Sequence, residues 1–258
     1  MESKLIHQTA IIEGNVSFGE NVVIGPYAYL SGEIQIGNNT EIGHAVRIEG
    51  NVKIGNANKI SHSAYIGAPP QDVSYNGGTS FVRIGDNNIL REFVQIHRGT
   101  KESSTTELGS NCFLMGGVHL AHNVKVGNNV TIANNTMLAG YVEIDDFSFI
   151  SGLCGFHQFV RVGKYAMIGG LARINKDCLP FMLIEGNPAR VAGINVVGLR
   201  RREFSPERRQ SIKNIYKLLY RSGKNVSQAV EELMQSIEDK DVKEIVNFIK
   251  SSERGILK

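Results

Sequence analysis

Between Ile12 and Ile174, every sixth residue is aliphatic or Phe with very few exceptions. Of 28 such positions, 25 are Ile, Leu, Val or Phe, running from Ile12, Phe18 and Ile24 through Phe156, Val162, Ile168 and Ile174. Only Asp72, Gly78 and Glu102 break the series. Two residues before most of these positions stands a small or β-branched residue, as at Val16, Val22, Ala28, Val46, Val52, Val124, Val130 and Val142. Residues two apart on a strand share a face, so each hexad reads as a very short strand with two inward side chains. An α-helix needs an apolar period near 3.6, which this stretch lacks. Corners such as Gly37-Asn38-Asn39 and Gly127-Asn128-Asn129 supply residues for which positive φ costs little. Strands that turn every six residues must wind into a coil. Three hexads make one triangular turn, so residue n stacks beneath n+18 at about the 4.8 Å strand spacing. The expected fold is all-β: a parallel β-helix, or hexapeptide-repeat solenoid, of roughly nine to ten turns.

The interruptions are as informative as the repeat. Residues 68–80 (APPQDVSYNGGTS) and 99–107 (GTKESSTTE) cannot continue the coil and are expected as protruding loops, the usual place for binding groups on a rigid scaffold. After Pro188 the hexads give way to helical signals, which divides the chain into a solenoid at 1–189 and a small C-terminal helical domain at 190–258. Ser205-Pro206 reads as an N-cap with Pro at N1. An apolar stripe of Ile212, Ile215, Leu218 and Leu219 follows, ending near Gly223. A second helix is expected from Ser227 (Val230, Leu233, Met234, Ile237), and a third over Val242, Ile245, Val246 and Ile249. Charge is split the same way: residues 190–258 carry a balance of +6, and the first 189 one of −3. Such a basic tail either meets acidic partners or is a well-solvated helical face. It lacks the interleaved aromatics of a nucleic-acid surface.

No apolar run approaches the ~20 residues that a membrane span requires. The start, MESKLIHQTAIIEG, lacks the apolar core of a secretory signal. The three cysteines are too few and odd for a disulfide framework, and Cys112 and Cys154 fall on the inward position of a hexad. The expected location is the cytoplasm.

Three of the seven histidines cluster late in the coil: His119, His122 and His157. The 18-residue register puts His122, Gly140 and Gln158 on one vertical line, with Ala121, Ala139 and His157 on the next. Gly140 removes a side chain beside His122. A potential base, a bare backbone and an amide thus share one face, which suits proton transfer with a backbone N–H as oxyanion donor. The competing reading is a row of solvated histidines beside a corner glycine. His44 and His62 also stack, with nothing polar expected around them. The His119-x-x-His122 pair raises a zinc alternative, as in hexapeptide-repeat carbonic anhydrases, but no third histidine completes such a motif.

The segments His119-Leu120-Ala121-His122, Ile132-Ala133-Asn134-Asn135, Leu138-Ala139-Gly140 and Gly155-Phe156-His157-Gln158-Phe159 together resemble the acyl-ACP:UDP-N-acetylglucosamine O-acyltransferases of lipid A biosynthesis. Pro70-Gln71-Asp72, Ile96-His97-Arg98-Gly99-Thr100, Glu185-Gly186-Asn187, Tyr216-Lys217-Leu218 and Ser252-Glu253-Arg254-Gly255 extend the resemblance over essentially the whole chain. It implies a left-handed β-helix, against the usual right-handed crossover, and a homotrimer with sites in the clefts between subunits. It further implies His122 as the general base on the glucosamine 3-hydroxyl and the Gly140 N–H as oxyanion donor. The acyl donor would be a 3-hydroxyacyl-ACP, and no cofactor or metal is called for. Asp72, His119, Tyr141, His157 and Gln158 would line the substrate site. Asn195, Arg201 and Arg202 would hold the UDP part, where guanidinium suits phosphate; Arg208, Arg209 and Lys213 would join them against pyrophosphate or the acidic carrier protein. Four residues depart from the family pattern: Asn123 for Asp after the base, Tyr141 for His, Ser74 for Lys and Val197 for Glu. Asn123 supplies no negative charge to an imidazolium, which opens an alternative acceptor, a UDP-sugar bearing a 3-amino group.

Overall fold

A computed structural model of the protein describes residues 5–258; Met1–Lys4 of the stretch read above for a secretory signal lie outside the described residues. The hexads are two-residue strands, such as Phe113–Leu114, Thr131–Ile132 and Phe149–Ile150, stacked in parallel ladders. One face of the coil is an 11-stranded sheet. The other two faces belong to a single 14-stranded sheet, because the strands Ile11–Phe18, Tyr29–Ile36 and Arg47–Ile54 run straight through a corner. They bend there at Gly14, Gly32 and Gly50, all with positive φ.

The expected register holds at both ends of the coil: Val23 pairs with Glu41 and Thr131 with Phe149, eighteen apart. In the middle the spacing is thirty (Lys59 to Ile89) and then twenty-four (Ile89 to Phe113). The two insertions therefore add two hexads and one hexad. Both are multiples of six, which is why the apolar phase survives them unbroken. The second loop is shorter than expected, because Thr105–Leu108 is already a strand paired with Phe81–Ile84.

Corner chemistry also differs from the simple expectation. The residue with positive φ is the third of each triplet, Asn39 or Asn129, and not Gly37 or Gly127. Gly37 is required by close approach, since a Cβ there would lie 2.6 Å from the backbone of Gly55 in the next coil. Where aromatic residues take the strained position, stacking offsets the cost. Phe147 lies on Tyr165 with ring centroids 4.9 Å apart, and Tyr141 lies on Phe159 at the same distance.

Inward positions such as Ile42, Val46, Ile48, Leu114 and Ile132 are fully buried. Thr40, Asn58 and Asn88 are buried among them, yet each accepts a backbone N–H from the coil above: Asn58, Asn88 and Cys112 respectively. Cys112, Cys154 and Cys178 are buried free thiols. Burial pushes the Cys112 thiol up to about 11, so it packs as a small hydrophobe.

The sheet ends in a hairpin, Met182–Glu185 against Arg190–Ile194, and the sequence division at 189/190 falls inside its turn. Four helices follow: α1 (Val196–Arg201), α2 (Pro206–Arg221), α3 (Val226–Leu233) and α4 (Lys240–Lys250). Ser205 caps α2 as expected. Asn225 and Gln228 form a capping box on α3, and α1 was not foreseen. The chain then returns to the last coil. The Ser252 hydroxyl donates to the buried Asp177 carboxylate (2.7 Å), and the Leu257 N–H to its carbonyl (2.9 Å). Among the described residues no helix is long and apolar enough to cross a membrane.

Candidate active site

His122 stands at a corner of the coil and is 4% exposed. Its neighbour Asn123 takes the positive-φ position (φ 61°), which turns the Asn side chain back on the imidazole. Asn123 Oδ1 lies 3.1 Å from His122 Nδ1 and accepts the Thr100 N–H at 3.0 Å. A backbone N–H can only donate, so the amide oxygen is the atom facing Nδ1. The neutral ring must then carry its proton on Nδ1, which leaves the lone pair at Nε2. The Asn123 N–H donates to the buried Thr106 hydroxyl at 2.7 Å, which fixes the corner from below. Tyr141 closes one side, its ring edge-on to the imidazole at 5.4 Å.

Nε2 faces a carboxylate across a gap. Asp72 Oδ2, from the first loop, lies 3.5 Å away. Asp72 Oδ1 accepts both the N–H and the hydroxyl of Ser74, and Oδ2 accepts the Thr100 hydroxyl at 3.3 Å. The two bonds from Ser74 are the main reason its pKa lies below the usual carboxylate value, with His122 and Thr100 adding to the effect. A bare imine nitrogen and an ionised carboxylate side by side form a place for donors, such as the hydroxyls of a sugar.

Directly above His122 sits Gly140. A Cβ there would come within 2.6 Å of Nε2, so only glycine leaves the imidazole its place. Among the described residues the Gly140 N–H has no hydrogen-bond acceptor, whereas its neighbours donate to Phe156 O (Ala139) and His122 O (Tyr141). A base with a free lone pair thus stands next to a free N–H.

Two clefts meet at this corner. One, of about 450 Å³, runs along the coil past Ala139, Met137, Leu138, Phe156 and Ile174, with His119, His157 and Gln158 on its walls. The other, of about 630 Å³, is polar and is built by the two loops: Asp72, Ser74, Asn76, Thr100, Lys101 and Glu102, with Tyr141 and Phe159 opposite. His122 and Gln158 belong to both.

The structure therefore brings together His122, Gly140, Asp72, His119, Tyr141, His157 and Gln158. It does not bring Asn195, Arg201 or Arg202 to this corner of the same chain. Asn195 is buried, and its amide accepts from the Gly198 N–H to cap α1 and donates to Tyr165 O. Arg202 lies over the ring of Phe147, one corner further round the coil. Arg208 grips the buried Asp241 carboxylate with two bonds of 2.7 Å. His44 and His62 stack as expected at 5.0 Å, yet Glu92 faces His62, one of the influences that hold its carboxyl low.

Sequence reasoning missed His97 and Thr100. The second insertion spaces their coil twenty-four residues from the next, as with Gln95 and His119, so His97 stacks under Ala121 and was invisible to an 18-residue rule. His97 is buried, its Nδ1 2.6 Å from Pro69 O, and its ring lies 4.9 Å from that of His119. Burial, with His97 nearby, brings the His119 pKa down to about 4; burial also lowers that of His97. Both rings are neutral near pH 7. Among the described residues, no group of three or more His, Cys, Asp or Glu is placed to hold a metal ion, and the zinc alternative gains nothing from the geometry.

A hexapeptide solenoid with such a corner defines a class, the hexapeptide-repeat transferases. The family model described as bacterial transferase hexapeptide (six repeats) matches residues 105–140, and that described as UDP N-acetylglucosamine O-acyltransferase, domain 2, matches residues 177–257. Curated relatives named acyl-[acyl-carrier-protein]–UDP-N-acetylglucosamine O-acyltransferase include those of Aliivibrio fischeri (47% identical, 100% of this chain and 99% of the relative) and Aliarcobacter butzleri (45%, 97% of each). The solved UDP-N-acetylglucosamine acyltransferase of Bacteroides fragilis superimposes with a TM-score of 0.96 at 42% identity, covering 98% of this chain and 100% of that one. The Francisella novicida enzyme gives 0.95 at 40%, covering 98% and 93%. The chain belongs to the UDP-N-acetylglucosamine O-acyltransferase family, and its solenoid is a left-handed parallel β-helix of hexapeptide repeats.

Proposed function

We infer that this chain transfers a 3-hydroxyacyl group from acyl carrier protein to the 3-hydroxyl of UDP-N-acetylglucosamine, the first step of lipid A biosynthesis, with His122 as general base. The carrying observation is the corner itself: a free imidazole Nε2 and a free Gly140 N–H side by side, where an apolar-walled cleft meets a polar one. Nε2 takes the proton of the 3-hydroxyl as that oxygen attacks the thioester carbonyl. The carbonyl oxygen gains the negative charge and accepts the Gly140 N–H. Collapse expels the carrier's thiolate, which takes the proton back from Nε2. Asn123 holds the imidazole through both transfers as a neutral acceptor.

The groove past Met137, Leu138, Phe156 and Ile174 takes the acyl chain, with His119, His157 and Gln158 at its mouth. The loop-built cleft takes the sugar nucleotide, with Asp72 and Tyr141 against the sugar. The basic tail faces the acidic carrier protein. Asn195, Arg201 and Arg202 serve the site of a neighbouring copy in a homotrimer. Two features support that assembly: these residues line neither cleft of their own chain, and apolar side chains beside the site, Val73 and Phe159, stand exposed.

The test is a mass-spectrometric assay with 3-hydroxyacyl-ACP, offering UDP-N-acetylglucosamine and its 3-amino analogue in competition. Transfer to the hydroxyl sugar is expected. Preference for the amine would reassign the acceptor, and transfer to neither would overturn the reading.

A further inference from the structure

Among the described residues, Thr100 alone hydrogen-bonds the polar partners on both sides of His122. Its N–H donates to Asn123 Oδ1 (3.0 Å), the oxygen that orients Nδ1, and its hydroxyl donates to Asp72 Oδ2 (3.3 Å), which faces Nε2. The segment carrying it is tightly held. A Cβ at Gly99 would lie 2.6 Å from the Ser104 backbone, and the Ser104 hydroxyl accepts from Lys101 N and donates to Lys101 O. The second loop also braces the first, with Glu102 accepting the Thr79 N–H at 2.8 Å.

We propose that Thr100 is a positioning residue for acyl transfer: its N–H sets the orientation of the His122 imidazole, and its hydroxyl restrains Asp72 so that Nε2 stays open to the acceptor. This rests on the reading of His122 as the base. A carboxylate 3.5 Å from Nε2 already stands at ion-pair distance from a protonated imidazole, and a small shift closer would tighten that pair. That pair would favour the protonated form and take the base out of use. The Thr100 hydroxyl opposes this shift by occupying Oδ2, while Ser74 occupies Oδ1. The other groups around the imidazole are His97 from the coil below, Tyr141 from the coil above, and Lys101 and Glu102 along the cleft.

The experiment is the pH dependence of kcat/KM for UDP-N-acetylglucosamine in wild type, Thr100→Val and Thr100→Ser, with full-length protein and 3-hydroxyacyl-ACP. Thr100→Val should lose about 10-fold in kcat/KM, the scale of one hydrogen bond to a charged group, and its acid limb should move to higher pH as Asp72 closes on the imidazolium. Thr100→Ser should restore both. Thr100→Ala deletes the same hydroxyl without added bulk and should show the same displaced limb if the Val variant does not fold. A wild-type-like Val variant overturns the proposal, as does a rate loss with an unmoved limb. A wild type that acylates no UDP-sugar overturns the functional reading instead.

Discussion

Two corners of the same coil treat their backbone N–H groups in opposite ways. Along one edge, Asn38, Asn56, Asp86, Ser110, Asn128 and Asp146 form a column in which each side chain accepts the N–H of the corner residue one coil below. Along the edge bearing His122, Gly140 and Gln158, no acceptor among the described residues caps the Gly140 N–H. The backbone geometry is that of the same repeat, and only the side chains differ. A donor left open next to an imidazole is placed to receive a developing negative charge, while a donor closed by Asn or Asp is committed to the fold.

The largest expected effect comes from removing the base. His122→Ala should lower kcat by about 10²–10⁴-fold with little change in Tm, measured by steady-state transfer and thermal melting. Next is Gly140→Ala. It keeps the N–H, but its Cβ must displace the imidazole, and a loss of about 10²-fold in kcat is expected, the lower end of what general-base catalysis contributes; near-wild-type activity would show that the notch is not required. The matching change on the closed edge is Asn128→Ala. It uncaps the Ser110 N–H, which it now accepts at 2.8 Å, and should cost about 1 kcal/mol of stability while leaving kcat unchanged.

A further effect, read against pH, separates the neutral histidine pair from the base. His119 titrates at about 4 in the fold but near 6.5 when unfolded. As pH falls through that window the unfolded chain takes up a proton that the fold refuses. Stability is therefore lost from about pH 6.5 downward, on the order of 3 kcal/mol, and the loss levels off below about pH 4. His119→Gln should flatten that part of the curve in denaturant titrations at several pH values.

The His122–Gly140–Gln158 line was legible in the sequence because all three lie beyond the second insertion, where the spacing is again eighteen. His97 and Thr100 were not, because the insertion displaces their coil by one extra hexad. The solenoid was legible because a six-residue period has few physical solutions. Helix α1 was not, since six residues carry too little periodicity to read. Asn195 points to the UDP part through the resemblance alone, and its bonds to Gly198 and Tyr165 appear only in the fold. The departures at Asn123 and Ser74 gain meaning from geometry. One carbonyl fixes the imidazole tautomer, and one hydroxyl fixes Asp72.

Residue-resolved amide hydrogen exchange, in the free protein and with bound acylated product, tests most directly whether the two corners differ as described. An open oxyanion donor predicts fast exchange at the Gly140 N–H, slowed when product binds, against slow exchange at the Ser110 N–H in both states. Equal protection of the two N–H groups in the free protein, or a Gly140 N–H indifferent to ligand, would contradict it.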